Sequence, residues 1–282
     1  MNIQDSKQPD QPLFSFGLIA DIQYCECKNY GSRFFNNSLS KLNTAVKDIN
    51  NSDADFIITL GDLIEKNYKS FEPVLEILEK SDKKVYHVLG NHDYEVKNRY
   101  KRKVEYRLTG ETSYYSFSRE NYRFIALNTC EISTYSGSMF ATIRASNIIE
   151  RLNREKLPYA FEWNGTMSSK QIEWFKSELR EAVKMNQKVF IFSHHTIEPL
   201  GTHNMYEREK ILDIVSDFDN IIAWFAGHEH HGGYGNYNNI HFVTLKGMVE
   251  TADTNAWALV DIYENKIVIN GKGRQESLTL SY

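Results

Sequence analysis

The chain has 282 residues, of which 41% are hydrophobic, 25% charged and 13% aromatic, a composition that supplies a sizeable core and excludes a disordered or low-complexity protein. Lys and Arg number 33 against 37 Asp and Glu, for a net charge of -4. No basic block stands out that would neutralise a run of phosphates in a polymer, so nucleic acid is not the expected partner.

Taken in chain order, Phe14 to Ala20 reads as a buried strand that stops at Asp21-Ile22-Gln23. Leu39, Leu42, Val46 and Ile49 recur at helical spacing and predict an amphipathic helix. Asp55 to Leu60 is a second strand, closed by Gly61-Asp62. Phe71 to Leu78 reads as a helix, and Val85 to Leu89 as a strand running into Gly90-Asn91-His92-Asp93. Tyr122 to Leu127 is a further strand, Ser169 to Met185 a Ser-capped helix, and Val189 to Phe192 a strand leading to Ser193-His194-His195. Ile221 to Ala226 ends in Gly227-His228-Glu229-His230-His231. Beyond it, Ile240 to Leu245, Ala256 to Tyr263 and Lys266 to Asn270 read as antiparallel strands joined by turns. Thr134 to Trp163 has weak helical periodicity and reads as an insertion over one edge of a single domain spanning residues 1–282.

Strands alternating with helices predict a layered α/β fold, in which polar residues at strand carboxyl ends share one crevice. Apolar runs such as Ile221 to Ala226 fall far short of the about 20 residues of a membrane helix. The start, MNIQDSKQPDQP, lacks the basic and apolar regions of a secretory signal. Cys25, Cys27 and Cys130 are odd in number, and the first two stand too close in sequence for an ordinary bridge. No disulfide framework is expected, and the expected setting is a reducing cytoplasm.

The clusters that close the strands hold Asp21, Gln23, Asp62, Asn91, His92, His194, His195, His228 and His230. These are oxygen and imidazole donors without a thiolate, a set suited to Mn, Fe, Zn or Mg. Two ions sharing one carboxylate, about 3.5–4 Å apart as in phosphoesterases, would use them fully. Singly, each has a plainer reading: Asp21 as a helix cap, Gln23 as a surface amide, Gly61-Asp62 and Gly90-Asn91 as turns. Their joint register is what argues for a dinuclear site.

The order Asp-x-Gln, Gly-Asp-x-x-Glu, Gly-Asn-His-Asp, Ser-His and Gly-His-x-His resembles the calcineurin-like metallophosphoesterase superfamily. Its first motif is usually Asp-x-His. Gln23 in that place resembles the manganese-dependent ADP-ribose/CDP-alcohol diphosphatase branch, as do Ser32-Arg33-Phe34-Phe35, Asn164-Gly165 and Leu245 to Thr251. The resemblance runs from about Phe14 to Arg274. It implies mixed β-sheets flanked by helices, with a two-metal site at strand carboxyl ends.

By position, it implies that Asp21, Gln23, Asp62 and His230 hold one divalent ion and Asp62, Asn91, His194 and His228 the other, with manganese the implied metal in both places. Asp62 would bridge. Of the two adjacent imidazoles, His194 rather than His195 is the implied ligand by the position of the Ser-His step alone. The resemblance further implies that His92, held by Asp93, protonates the leaving oxygen after attack by a hydroxide lying between the ions. The implied substrate is a small nucleotide diphosphate, with neither a nucleic acid polymer nor a membrane as partner. A phosphomonoesterase or cyclic-nucleotide phosphodiesterase would use the same ions, and a noncatalytic scaffold should have lost ligands that are all present here. Arg33, Tyr24 and Phe34 are candidate substrate contacts, whereas Glu250 and Arg274 read as structural.

Overall fold

The computed structural model describes residues 11–282. The reading of the start, MNIQDSKQPDQP, as lacking a secretory signal falls on residues 1–12, of which 1–10 lie outside the described residues. Twelve strands and six helices follow in the order β1 (Phe14–Ile19), α1 (Ser38–Asn50), β2 (Phe56–Thr59), α2 (Phe71–Leu78), β3 (Lys84–His87), α3 (Asn98–Thr109), β4 (Tyr115–Arg119), β5 (Tyr122–Ala126), α4 (Met139–Arg154), α5 (Ser169–Lys184), β6 (Lys188–Phe192), α6 (Arg208–Ser216), β7 (Ile221–Ala226), β8 (Gly233–Tyr237), β9 (Ile240–Thr244), β10 (Ala256–Ile262), β11 (Lys266–Gly273) and β12 (Leu278–Ser281).

They form two six-stranded mixed sheets, ordered β12-β11-β10-β1-β2-β3 and β4-β5-β6-β7-β9-β8. Within each, strands β1, β2 and the edge strand β3, or β5, β6, β7 and β9, run parallel. Parallel strands are covered on both faces, which is why they read as unbroken apolar runs. The faces between the sheets are filled by Phe14, Phe16, Phe56, Phe124, Phe190, Phe192 and Phe225. Helices α1, α2 and α3 cover the outside of the first sheet, and α5 and α6 the outside of the second. Phe16 is fully buried, its ring 5.2 Å from Phe56 and 6.0–6.3 Å from Phe124, Phe192, Phe225 and Phe190. Phe16→Ala should therefore cost about 3–5 kcal/mol. Urea unfolding checks this, and an unchanged midpoint would contradict the shared core.

The strand after β7 departs from the expected antiparallel series. The chain passes β7, runs out to the edge as β8, and returns between them as β9, parallel to β7. Asn238 and Asn239, both at positive φ, make the turn, as a hairpin of primed type requires. Thr134 to Trp163 holds the 16-residue α4, whose inward stripe is Ala141, Ala145, Ile148 and Leu152. Two alanines in a stripe of four explain the weak periodicity.

The cysteine expectation is corrected: Cys25 and Cys27 form a disulfide, their Cα atoms 5.2 Å apart with exposed Glu26 between them. A reducing setting loses that support. Cys130 is free and buried. Among the described residues no helix is long and apolar enough to cross a membrane.

Candidate metal centre

Every cluster singled out in the sequence follows the carboxyl end of a parallel strand: β1, β2 and β3 in one sheet, β6 and β7 in the other. Past the ends of β1, β2 and β7 the backbone is strained. Asp21, Gln23, Asp62 and His228 adopt φ of 51°, 43°, 54° and 70°, a left-handed region that residues with a Cβ enter at a cost and keep only where surroundings enforce it. Neighbouring loops supply that enforcement: Gln23 N–H donates to Asp62 O at 2.8 Å and Gly227 N–H to His194 O at 3.1 Å. Gly90 is required by close approach, since a Cβ there would lie 2.2 Å from Asp62 Oδ1.

The side chains converge from both sheets. Asp62 Oδ2 lies 3.1 Å from Gln23 Nε2 and 3.3 Å from His194 Nε2. Asn91 Oδ1 is 2.9 Å from that same His194 nitrogen. Asp62, His194 and His228 offer one donor atom each within 4.8 Å of one another. On the other side, His230 Nε2 is 3.6 Å from Asp21 Oδ1 and 3.4 Å from Gln23 Nε2. All seven residues are buried, and Asp62 stands between the two groups.

Outer hydrogen bonds orient the imidazoles, as they do around bound metals. His194 Nδ1 faces Leu60 O at 2.8 Å and His228 Nε2 faces Asn164 Oδ1 at 3.0 Å, so each ring keeps its other nitrogen for a ligand. Burial and the neighbouring imidazoles of His195 and His194 hold His228 well below the usual histidine range. Burial alone would raise Asp62, but His194 and His92 beside it bring it well below the carboxylate range. Gln23 Oε1 is buried without a hydrogen-bond partner. A buried orphan acceptor is costly unless something claims it, and a hard cation in this oxygen and imidazole set does so. The residues therefore fit a pair of divalent ions.

Asp93 does not hold His92. It is fully buried and accepts from the backbone N–H groups of Asp62, Leu63 and Gly90 at 3.0, 2.8 and 2.9 Å, so it ties the loop after β2 to the loop after β3. Burial, with Asp62 alongside, pushes its carboxyl up to about 7. The partners of His92 Nδ1 are Glu65 Oε2 at 3.0 Å and Glu95 Oε1 at 3.6 Å. Against the pull of burial, Asp62 and Glu65 raise the His92 imidazole to about 9. Two carboxylates that the sequence leaves without a role thus face the proposed acid.

His195 packs against the centre, its ring 4.5 Å from that of His228, but both its nitrogens are engaged elsewhere. Its Nδ1 meets Thr129 Oγ1 at 2.7 Å and its Nε2 meets Trp163 O at 3.2 Å, while burial and His194 lower it to about 3. His231 is exposed and pairs with Glu229. Of the candidate substrate contacts, Arg33 reaches the rim, with Nε 3.7 Å from Glu250 Oε1, and Phe34 is half-buried. Tyr24 is not brought to an open surface: its ring is buried against the helices over the first sheet.

Three further features escape the sequence reading. Glu250 Oε1 lies 2.7 Å from His230 Nδ1 and fixes that ring, although nothing but its place in a matched segment signals it. Asn164 reaches His228. Just before Asn164, the half-exposed rings of Phe161 and Trp163 stack 4.2 Å apart, and steps of 6.1 and 4.9 Å lead from Trp163 through His203 to His228. Glu250→Gln should lower metal affinity by about 10–100-fold, the usual effect of removing such a partner. Metal titration checks this, and unchanged binding would show that Glu250 does not orient His230.

Residues 14–232 match the model of the calcineurin-like phosphoesterases, and the chain belongs to that family. Curated relatives include the manganese-dependent ADP-ribose/CDP-alcohol diphosphatases of Xenopus laevis, 29% identical over 99% of this chain and 94% of the relative, and of Arabidopsis thaliana, 28% identical over 95% and 96%. Among solved structures, a dimetal phosphatase from Danio rerio superposes with a TM-score of 0.87 at 25% identity, covering 96% of this chain and all of that one.

Proposed function

We propose that the protein hydrolyses the diphosphate bond of small nucleotide derivatives such as ADP-ribose and CDP-alcohols, using two manganese ions. The observation that carries the reading is Gln23, an amide whose unpartnered oxygen sits in the buried donor set, together with relatives across the full chain that are named for that activity. Asp21, Gln23 and His230 hold one ion, Asn91, His194 and His228 the other, and Asp62 bridges. When bound, the ions activate a water for attack on phosphorus and neutralise the charge on the phosphoryl oxygens.

His92 supplies the leaving group's proton. With Nδ1–H turned to Glu65 and Glu95, its Nε2–H remains available to the departing oxygen. Asp93 keeps the loops that carry Asp62 and His92 in register. Arg33 stands at the rim for a phosphate, and the Phe161–Trp163 pair offers an aromatic face to a base. The test is a panel of ADP-ribose, CDP-choline, cyclic nucleotides and an aryl phosphate, each with Mn or Mg. AMP from ADP-ribose and CMP from CDP-choline, faster with Mn, is the expected result. Turnover confined to the aryl phosphate or the cyclic nucleotides would contradict it.

A further inference from the structure

Helix α3 overturns the expectation that the chain has no basic block. Five of the seven residues from 97 to 103 are Lys or Arg, and the fold adds Lys66 and Lys69 from the turn before α2. A cavity of about 430 Å³ lies between these segments, its cationic wall made by Lys66, Lys69, Lys97 and Arg99 and its aromatic wall by Tyr68 and Tyr100. The two tyrosine rings stack 4.7 Å apart, and the Arg99 guanidinium lies 4.8 Å over Tyr100. Lys66 pairs with Glu65 at 3.7 Å. Among the described residues no ion pair engages Lys69, Lys97 or Arg99, and Glu95 is the one carboxylate in the lining. With Lys66 already paired, Lys69, Lys97 and Arg99 face the single lining carboxylate Glu95 and, in a protein of net charge -4, make a local positive field not fully offset by counter-charge.

The cavity also adjoins the metal centre. Glu95, which lines it, is 3.6 Å from His92 Nδ1. It therefore lies beside the acid, across Glu95 on the Nδ1 side of its ring, where a substrate arm that extends past His92 would reach it.

We propose that this cavity is a second phosphate-binding site, taking a phosphomonoester group carried either on the leaving arm of a bound diphosphate substrate or by a free phosphate compound. The first source rests on the function proposed above. Lys97 and Arg99 bind the phosphate oxygens with charge-assisted hydrogen bonds, and the tyrosine pair walls off the organic part.

The test compares the manganese-loaded protein with the double variant Lys97→Glu, Arg99→Glu, both positions being exposed, after thermal melting confirms that the variant folds. Inorganic phosphate binding is measured by equilibrium dialysis, and kcat/KM by turnover of ADP-ribose and of ADP-ribose 1″-phosphate. The wild type should bind one phosphate per chain more than the variant. It should also favour the 1″-phosphorylated substrate through KM by about 10-fold, a preference the variant loses while ADP-ribose itself changes less than about 2-fold. Loss of the extra phosphate with an unchanged substrate ratio would assign the site to a free phosphate compound. Equal phosphate binding and equal ratios in the two proteins would overturn it. If the wild type cleaves no diphosphate, the proposed activity falls, and the dialysis result alone decides the site.

Discussion

Asp62→Ala should abolish turnover and empty the centre of both ions. Asp62 is the carboxylate between the two donor groups, with Oδ2 close to Gln23 and His194 and Oδ1 accepting from His92 N–H at 2.8 Å. Without it, two cations would face one another across a buried space with no shared anion, and each half would keep only one or no carboxylate. His194, which Asp62 raises to about 9 against the pull of burial, would also lose its counter-charge. Elemental analysis beside an activity assay reads the outcome. Two ions retained per chain in the variant would sink the bridging assignment.

His92→Ala should leave both ions in place and slow the chemical step by about 10²–10⁴-fold, the usual loss on removing a general acid. The imidazole is held protonated by Asp62, Glu65 and Glu95. Because its raised value lies near 9, the acid is present below that pH and lost as pH rises through it. Bound cations lower the value, so the alkaline limb of kcat falls at or below about pH 9. The variant should lack that limb, and a substrate whose leaving group needs no proton should regain part of the rate. An emptied centre in the variant would instead make His92 a ligand.

What the sequence reveals here follows from burial. Strands β1, β2, β6 and β7 are covered on both faces, so they appear as apolar runs, and the donors appear at their ends. Helix α2 is read to the residue because four apolar side chains face the core. Helix α3 is not, since only Val104 and Leu108 are buried in a strongly charged segment. Edge strand β8, with Gly233, Gly235 and no buried residue, gives no pattern. At the centre, the donor list is legible because it depends on residue type and strand position. The partners of those donors depend on contacts between remote segments: Glu65 rather than Asp93 faces His92, Glu250 faces His230, and Asn164 faces His228. The Cys25–Cys27 bridge likewise depends on how the loop after Gln23 curls.

The most direct test of the central claim is calorimetric titration of the metal-depleted protein with manganese, with ADP-ribose turnover followed at each point. Two ions per chain, with activity appearing only as the second binds, is the predicted result. A single ion at full activity, or full activity with none, would contradict a dinuclear centre built on Asp62.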